Sequence, residues 1–396
     1  MIEDKDIQLC AENIVKAANI SPGEFVFVRG GTYSQKLLEE IALNVYRKEG
    51  VPFINSTSDD YKLGVGTDEN ISIKTLETTP KQYLKMIENI DTYIVIEPYE
   101  DPGKNAQIPR EKLRAARKAQ TPIRDVIYGL KEEFAPGKKW IYAAWPSKAA
   151  AKYYGIKYKT FEKFIVQGEK VPLKELKRIT NNIGKEFKNA KKVYVTDDYG
   201  TDFWISIEDR NAILDDGIID EEALAKGDLG GNLPAGEVFF PPIETKGEGV
   251  IFCPLTIDRF SNKIIKNVTL PFKNGKLDIN NVTADEGLED LVDSFKQCEN
   301  IDKEQLKDET KIRTYNVCEL GIGCNPEITE AVGYILTDEK ITGSVHLAFG
   351  GNNFYGGESI SQMHWDFVTK AKANMEIEYK DGTKKEIMKN GKFLID

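Results

Sequence analysis

The apolar residues of this chain change their period part-way along it, and that change limits the folds open to it. Up to about residue 170, helical stripes alternate with short apolar runs. Ile7, Cys10, Ile14, Val15 and Ala18 recur at helical spacing, and EFVFVRGG (24–31) then reads as a strand ending in a glycine turn. Leu37, Leu38, Ile41, Ala42 and Val45 make a second helical stripe. The runs VPFIN (51–55), TYIVIEP (92–98) and KKWIYAAWP (138–146) follow as strands, with helices around 83–90 and through SKAAAKYY. Strand and helix alternating in this way predict a parallel sheet wrapped by helices. From about residue 172 the texture differs. A charged amphipathic helix (173–187) leads into KKVYVTDD and DFWISIED, where polar and apolar residues alternate as in antiparallel sheet. GVIFCPL, KIIKNVTLPF, GKLDI and a closing hairpin around Asp381 and Gly382 continue the pattern. The expected architecture is an α/β N-terminal domain with a mainly parallel sheet (1–175), followed by an α+β C-terminal domain (176–396) that carries the candidate site.

The 396 residues are enough for two ordinary domains. Lys and Arg number 54 and Asp and Glu 64, giving a net charge of −10 and a pI near 5.2. An acidic surface argues against nucleic acid or an anionic membrane as the main partner, since each demands a basic field. The charged N-terminal residues and the lack of any long apolar run predict no signal peptide and no membrane span, hence a cytoplasmic protein. Five scattered cysteines without CxxC spacing fit reduced thiols in that compartment.

The chain contains only two histidines, and both lie in SVHLAFGGNNFYGGESISQMHWDFV (344–368). His364 and Asp366 are two positions apart. In an extended strand they project to one face while Trp365 points to the other; on a helix they would diverge by about 200°. The pair therefore predicts a strand and either a shared metal or a hydrogen-bonded couple. Two glutamates join the candidates. Glu237, in GGNLPAGEVFFPP (230–242), stands between a glycine-rich turn and an apolar run, where a carboxylate needs a partner. Glu319, in NVCELGIGCNP (316–326), follows a strand-like stretch and precedes what reads as a glycine turn. VRGGTYSQ (28–35) lacks the phosphate-loop pattern, Cys318 and Cys324 match no familiar zinc spacing, and there is no GxSxG setting for a nucleophilic serine.

Taken together, GNLPAGEVF, ELGIGCNP, the VHLAFG strand and HWDF occur in the order found in the M29 metalloaminopeptidases, the aminopeptidase T type, which this chain resembles. WPSKAAAKYYG and TDFWISIEDR resemble that family as well. The resemblance implies five metal ligands at Glu237, Glu319, His346, His364 and Asp366. It also implies a catalytic tyrosine, for which Tyr355 is the candidate and Asn353 a competitor, and a homodimer acting on peptides with a free N-terminus. Five ligands with one bridging carboxylate give three bonds to each of two divalent ions, leaving room for water as a catalytic site requires. Zn, Co and Mn all suit such donors. The alternative is a mononuclear Fe(II) ring-cleaving dioxygenase of the 2,5-dihydroxypyridine dioxygenase type. It would use His346, His364 and Asp366 as a facial triad and would not need the two glutamates.

Overall fold

The computed structural model of the chain describes residues 2–225, 227–258, 260, 263–306 and 309–395. Its strands, in chain order, begin with Phe25–Gly31 (β1), Val51–Thr57 (β2), Thr92–Ile96 (β3) and Lys139–Ala143 (β4). Next come Ala190–Thr196 (β5), Asp202–Ser206 (β6), Ile213–Asp215 (β7), Gly230–Leu233 (β8) and Glu237–Phe240 (β9). The remainder are Gly247–Ile257 (β10), Ile264–Lys273 (β11), Lys276–Leu277 (β12), Val317–Gly323 (β13), Val345–Gly350 (β14), His364–Val368 (β15), Asn374–Tyr379 (β16), Lys384–Lys389 (β17) and Lys392–Phe393 (β18). The chain divides into two compact units, Met1–Leu173 with Gly217–Ala235, and Lys174–Asp216 with Gly236–Asp396.

The first unit holds a five-stranded sheet in the order β2-β1-β3-β4-β8, every pairing parallel. Its inner strands are apolar on both faces, as helices on either side demand: Val26, Phe27 and Val28 of β1 are fully buried. The helices Asp4–Ala17 and Gln35–Arg47 bury the two stripes read from sequence. One expectation is corrected here. The glycines of GGNL form the edge strand β8, not a turn, because a side chain at Gly230 would run into the Trp140 indole on β4.

In the second unit every strand pairing is antiparallel. An eight-stranded sheet runs β12-β11-β10-β6-β5-β16-β17-β18, and a five-stranded sheet runs β15-β14-β13-β9-β7. Their inner faces share one core: Val193, Phe203, Ile251 and Leu270 from the larger sheet meet Leu320, Leu347, Phe349 and Phe367 from the smaller. The helix Leu288–Gln305 adds Leu291 and Phe295 to it. Between β16 and β17 the turn at Gly382 has φ of +85°, the left-handed conformation that makes Asp-Gly a hairpin signal. Among the described residues, no helix is long and apolar enough to cross a membrane.

Candidate metal centre

The small five-stranded sheet has two unlike faces. Register dictates which residues share a face, since residues directly opposite in a sheet point the same way. Asp366 on β15 stands opposite Ala348 on β14, two residues from His346. His346 in turn stands opposite Gly321 on β13, two residues from Glu319. Gly323 stands opposite Glu237 on β9, and Glu237 opposite Asp215 on β7. His364, Asp366, His346, Glu319, Glu237 and Asp215 therefore project from one face. Trp365 faces the core instead, where it stacks on Phe367 and Phe295.

The five sequence-derived candidates meet. His346 Nε2 is 3.1 Å from Glu319 Oε1 and 3.4 Å from Glu237 Oε2. His364 Nε2 is 3.6 Å from Glu319 Oε2 and 3.5 Å from Asp366 Oδ1. Two triples of potential ligands result, Glu237-Glu319-His346 and Glu319-His364-Asp366, each with its ligand atoms within 4.8 Å of one another. Glu319 belongs to both and turns a different oxygen to each histidine.

Glycines make the room. The GIG that reads as a turn in the sequence is a continuous part of β13, and this corrects that expectation. A Cβ at Gly321 would lie 2.0 Å from His346 Nε2, and one at Gly323 2.2 Å from the Ile341 carbonyl. The imidazole lies across the bare backbone at 321, so the glycine serves close packing, not reversal of the chain.

Each imidazole is oriented differently. His364 Nδ1 is 3.0 Å from the Gly351 carbonyl, which only accepts, so that nitrogen carries the proton and Nε2 is left for a cation. His346 is fully buried, and its Nδ1 makes no hydrogen bond to any described residue. Burial would lower the His346 pKa, but the hydrogen bond to Glu319 and the charges of Glu237, Glu319 and Asp366 outweigh it and lift it to about 9. His364 is likewise raised: burial opposes protonation, and Cys318 and Asp366 more than offset it. Imidazoles held this firmly in the cationic form mark a pocket short of positive charge.

Sequence reasoning missed three further members. Lys340 is fully buried, with its ammonium against Glu237 Oε1, 3.1 Å from Asp215 Oδ2 and 3.4 Å from Glu339 Oε2. Burial lifts the Asp215 carboxyl to about 7 even against the attraction of Lys340, and it raises Glu339 well above its ordinary value. The run DEK (338–340) looks like any solvated surface stretch, so its sequence carried no signal.

Tyr355 lies in the loop between β14 and β15. Its hydroxyl donates to the Cys318 carbonyl at 2.9 Å, next to Glu319, and burial followed by the Glu319 charge keeps it protonated. Asn353 is exposed on the same loop. The loop is tied down on several sides. Asn352 bonds the Cys318 carbonyl and the Ser359 N–H, Glu244 accepts from the Glu358 N–H at 2.6 Å, and Arg210 donates to the Gly356 carbonyl at 2.7 Å.

These residues fit divalent cations. Glu237 Oε2 is buried and accepts no hydrogen bond from any described residue, and the donors are the imidazole and carboxylate oxygen that Zn, Co and Mn accept. The family model described as thermophilic metalloprotease (M29) matches residues 3–393. The chain belongs to that family. It is thus a metal-dependent peptide hydrolase. Among solved structures, aminopeptidase T (AmpT) from Thermus thermophilus is similar in fold, with a TM-score of 0.77, 17% identity, and 98% of this chain and 99% of that one covered. The 2,5-dihydroxypyridine dioxygenase of Pseudomonas putida has the related fold at a TM-score of 0.58 and 14% identity, covering 100% and 98%. No curated protein sequence matches.

Proposed function

We propose that this member of the family is an aminopeptidase that removes N-terminal residues from peptides with two divalent ions held by Glu237, Glu319, His346, His364 and Asp366. The observation that carries this reading is the orientation of Glu319, one oxygen toward His346 and the other toward His364, as a bridging carboxylate requires. Bound there, such ions would supply a hydroxide at neutral pH and polarise the scissile carbonyl. The chain's own residues do the rest. His364 offers Nε2 because Gly351 holds the proton on Nδ1. Tyr355 keeps its one hydroxyl proton, which it gives to the Cys318 carbonyl and would have to turn from there to donate to an oxygen on which charge develops. The His364 side chain is a quarter exposed while that of His346 is sealed, so a peptide reaches the centre from the His364 side. A homodimer and a cytoplasmic location accompany this reading. The five cysteines, all buried and none in a disulfide, agree with a reducing compartment.

The iron dioxygenase reading needs His346, His364 and Asp366 around one ion, whereas the histidines here fall into separate triples. Metal content per chain after loading with Zn, Co, Mn or Fe, assayed on aminoacyl substrates and by oxygen uptake, decides between them. Two ions and amide hydrolysis support the aminopeptidase. One iron with oxygen consumption would replace it.

A further inference from the structure

Lys340 is among the largest fully buried side chains of the described residues, and it sits on the rim of the candidate centre. Its placement is fixed from both sides of the backbone. The Lys340 N–H bonds the Thr337 carbonyl at 3.0 Å, and its own carbonyl accepts from Asn325 N–H at 3.0 Å. The preceding turn is pinned by Asp338, which accepts from the N–H groups of Val332 and Gly333 at 2.9 and 2.7 Å.

An ammonium has three protons and no acceptor. Here its neighbours are three carboxylates from separate segments: Asp215 at the end of β7, Glu237 at the start of β9, and Glu339 beside it. Three acids around one buried base are a poor device for stability, because burying the charges costs more than the surplus acids return. The arrangement makes sense as orientation. Glu237 spends Oε1 on the lysine, which leaves only Oε2, on the His346 side, for anything else. Glu339 lies close enough to Glu237, His346 and Asp366 for their charges to act on it, yet its Oε2 is turned toward Lys340. Glu339 stands outside both ligand triples.

We infer that Lys340 is a positioning residue: it limits Glu237 to one ligating oxygen and withholds Glu339 and Asp215 from the cations, which keeps a coordination position open to water. This rests on the two-ion reading above. A metal site closed by protein ligands is structural, and an open position is what makes it catalytic. Without the ammonium, the released carboxylates would turn onto the nearest cation and fill that position.

The test loads the full-length protein with Mn(II) and follows manganese content and water-proton relaxation, which reports exchangeable water on the metal. Wild type is expected to hold two ions with a strong relaxation enhancement. Lys340→Met is expected to keep both ions, lose a substantial part of the enhancement, and turn over aminoacyl substrates about 10–100-fold more slowly, the usual cost of disturbing a ligand's support. Lys340→Met/Glu339→Gln is expected to regain the enhancement, because an amide is a weak ligand for manganese. Glu339→Gln by itself leaves the lysine in place and guards against a misfolded methionine variant; it is expected to retain manganese content and enhancement. Lys340→Met with wild-type enhancement, or with one ion lost, overturns the inference, as does Glu339→Gln losing an ion. A wild type that takes up no manganese overturns the metal centre itself, and the inference with it.

Discussion

The two halves of the acidic cluster are built from similar side chains but held by different means. Glu237 and His346 are sealed, and Glu237 is held by the charge of a buried lysine. On the other side Asp366 is as buried as Glu237, but His364 is a quarter exposed and is anchored by a main-chain carbonyl. Charge can hold the enclosed half because no water competes there, and the same enclosure makes that half intolerant of added volume. The half at His364 uses backbone geometry, which persists when solvent and substrate come and go. In the two-ion reading the enclosed half is therefore the fixed one, and the half at His364 is where exchange would occur.

The largest effect should come from the residue the halves share. Glu319→Gln removes a charged oxygen from both triples at once, and it is expected to abolish binding of the second ion and take peptide hydrolysis to background. Metal analysis beside an aminoacyl assay checks this; retained stoichiometry and rate would break the comparison. Gly321→Ala discriminates between the halves. A methyl group 2.0 Å from His346 Nε2 forces that imidazole away, and the three atoms nearest to it all belong to His346. The expected outcome is loss of the ion at Glu237 and His346 with the His364 and Asp366 ion retained, read as one metal per chain and an activity loss approaching that of Glu319→Gln. Two tightly held ions in Gly321→Ala would show that His346 is not a ligand.

His364 and Asp366 were the more legible in the sequence. HWD declares its own geometry, since a period of two puts His364 and Asp366 on one face wherever a strand forms, and β15 is that strand. Glu237 and Glu319 stood out as carboxylates beside apolar runs, which is a local signal. What surrounds the enclosed half was not legible because it is decided by pairings far apart in the chain. Lys340 is 103 residues from Glu237, and nothing in DEK distinguishes a buried ammonium from a solvated one. The glycines of β13 and β8 read as turns for a related reason. A glycine that bends the chain and one that clears space for a neighbouring ring have the same composition, and only the cross-strand partner, His346 or Trp140, separates them.

A smaller effect is expected from the loop joining the halves. Tyr355→Phe removes one hydroxyl whose partners are the Cys318 carbonyl and whatever oxygen a substrate brings. Loss of a donor to developing charge costs about 10²–10³ in kcat. With metal content unchanged, a kcat within a fewfold of wild type would remove Tyr355 from the chemistry and leave it as loop packing against Phe239, 5.6 Å away between ring centres.

The smallest effect is a pH dependence, to which the raised His364 of the other half contributes in the same direction as the enclosed half. In the metal-free protein His346 is raised from its ordinary 6.5 to about 9. A base raised by folding contributes stability that is fully present below 6.5 and is lost as pH rises through 9. Asp215, raised to about 7, acts in the same direction at lower pH, since the folded state keeps a proton there that the unfolded chain has released. Metal-free protein should therefore lose several degrees of melting temperature between pH 6.5 and 9. A cation on His346 Nε2 takes the place of that proton, so the loaded protein should not share the decline. The gap between melting temperatures with manganese and with a chelator is expected to widen with pH, because each ion bound below pH 9 must first displace the proton. A gap that narrows over this range would mean that His346 keeps its proton when the metal is bound, and the enclosed half would then be an ion-pair network beside a site confined to Glu319, His364 and Asp366.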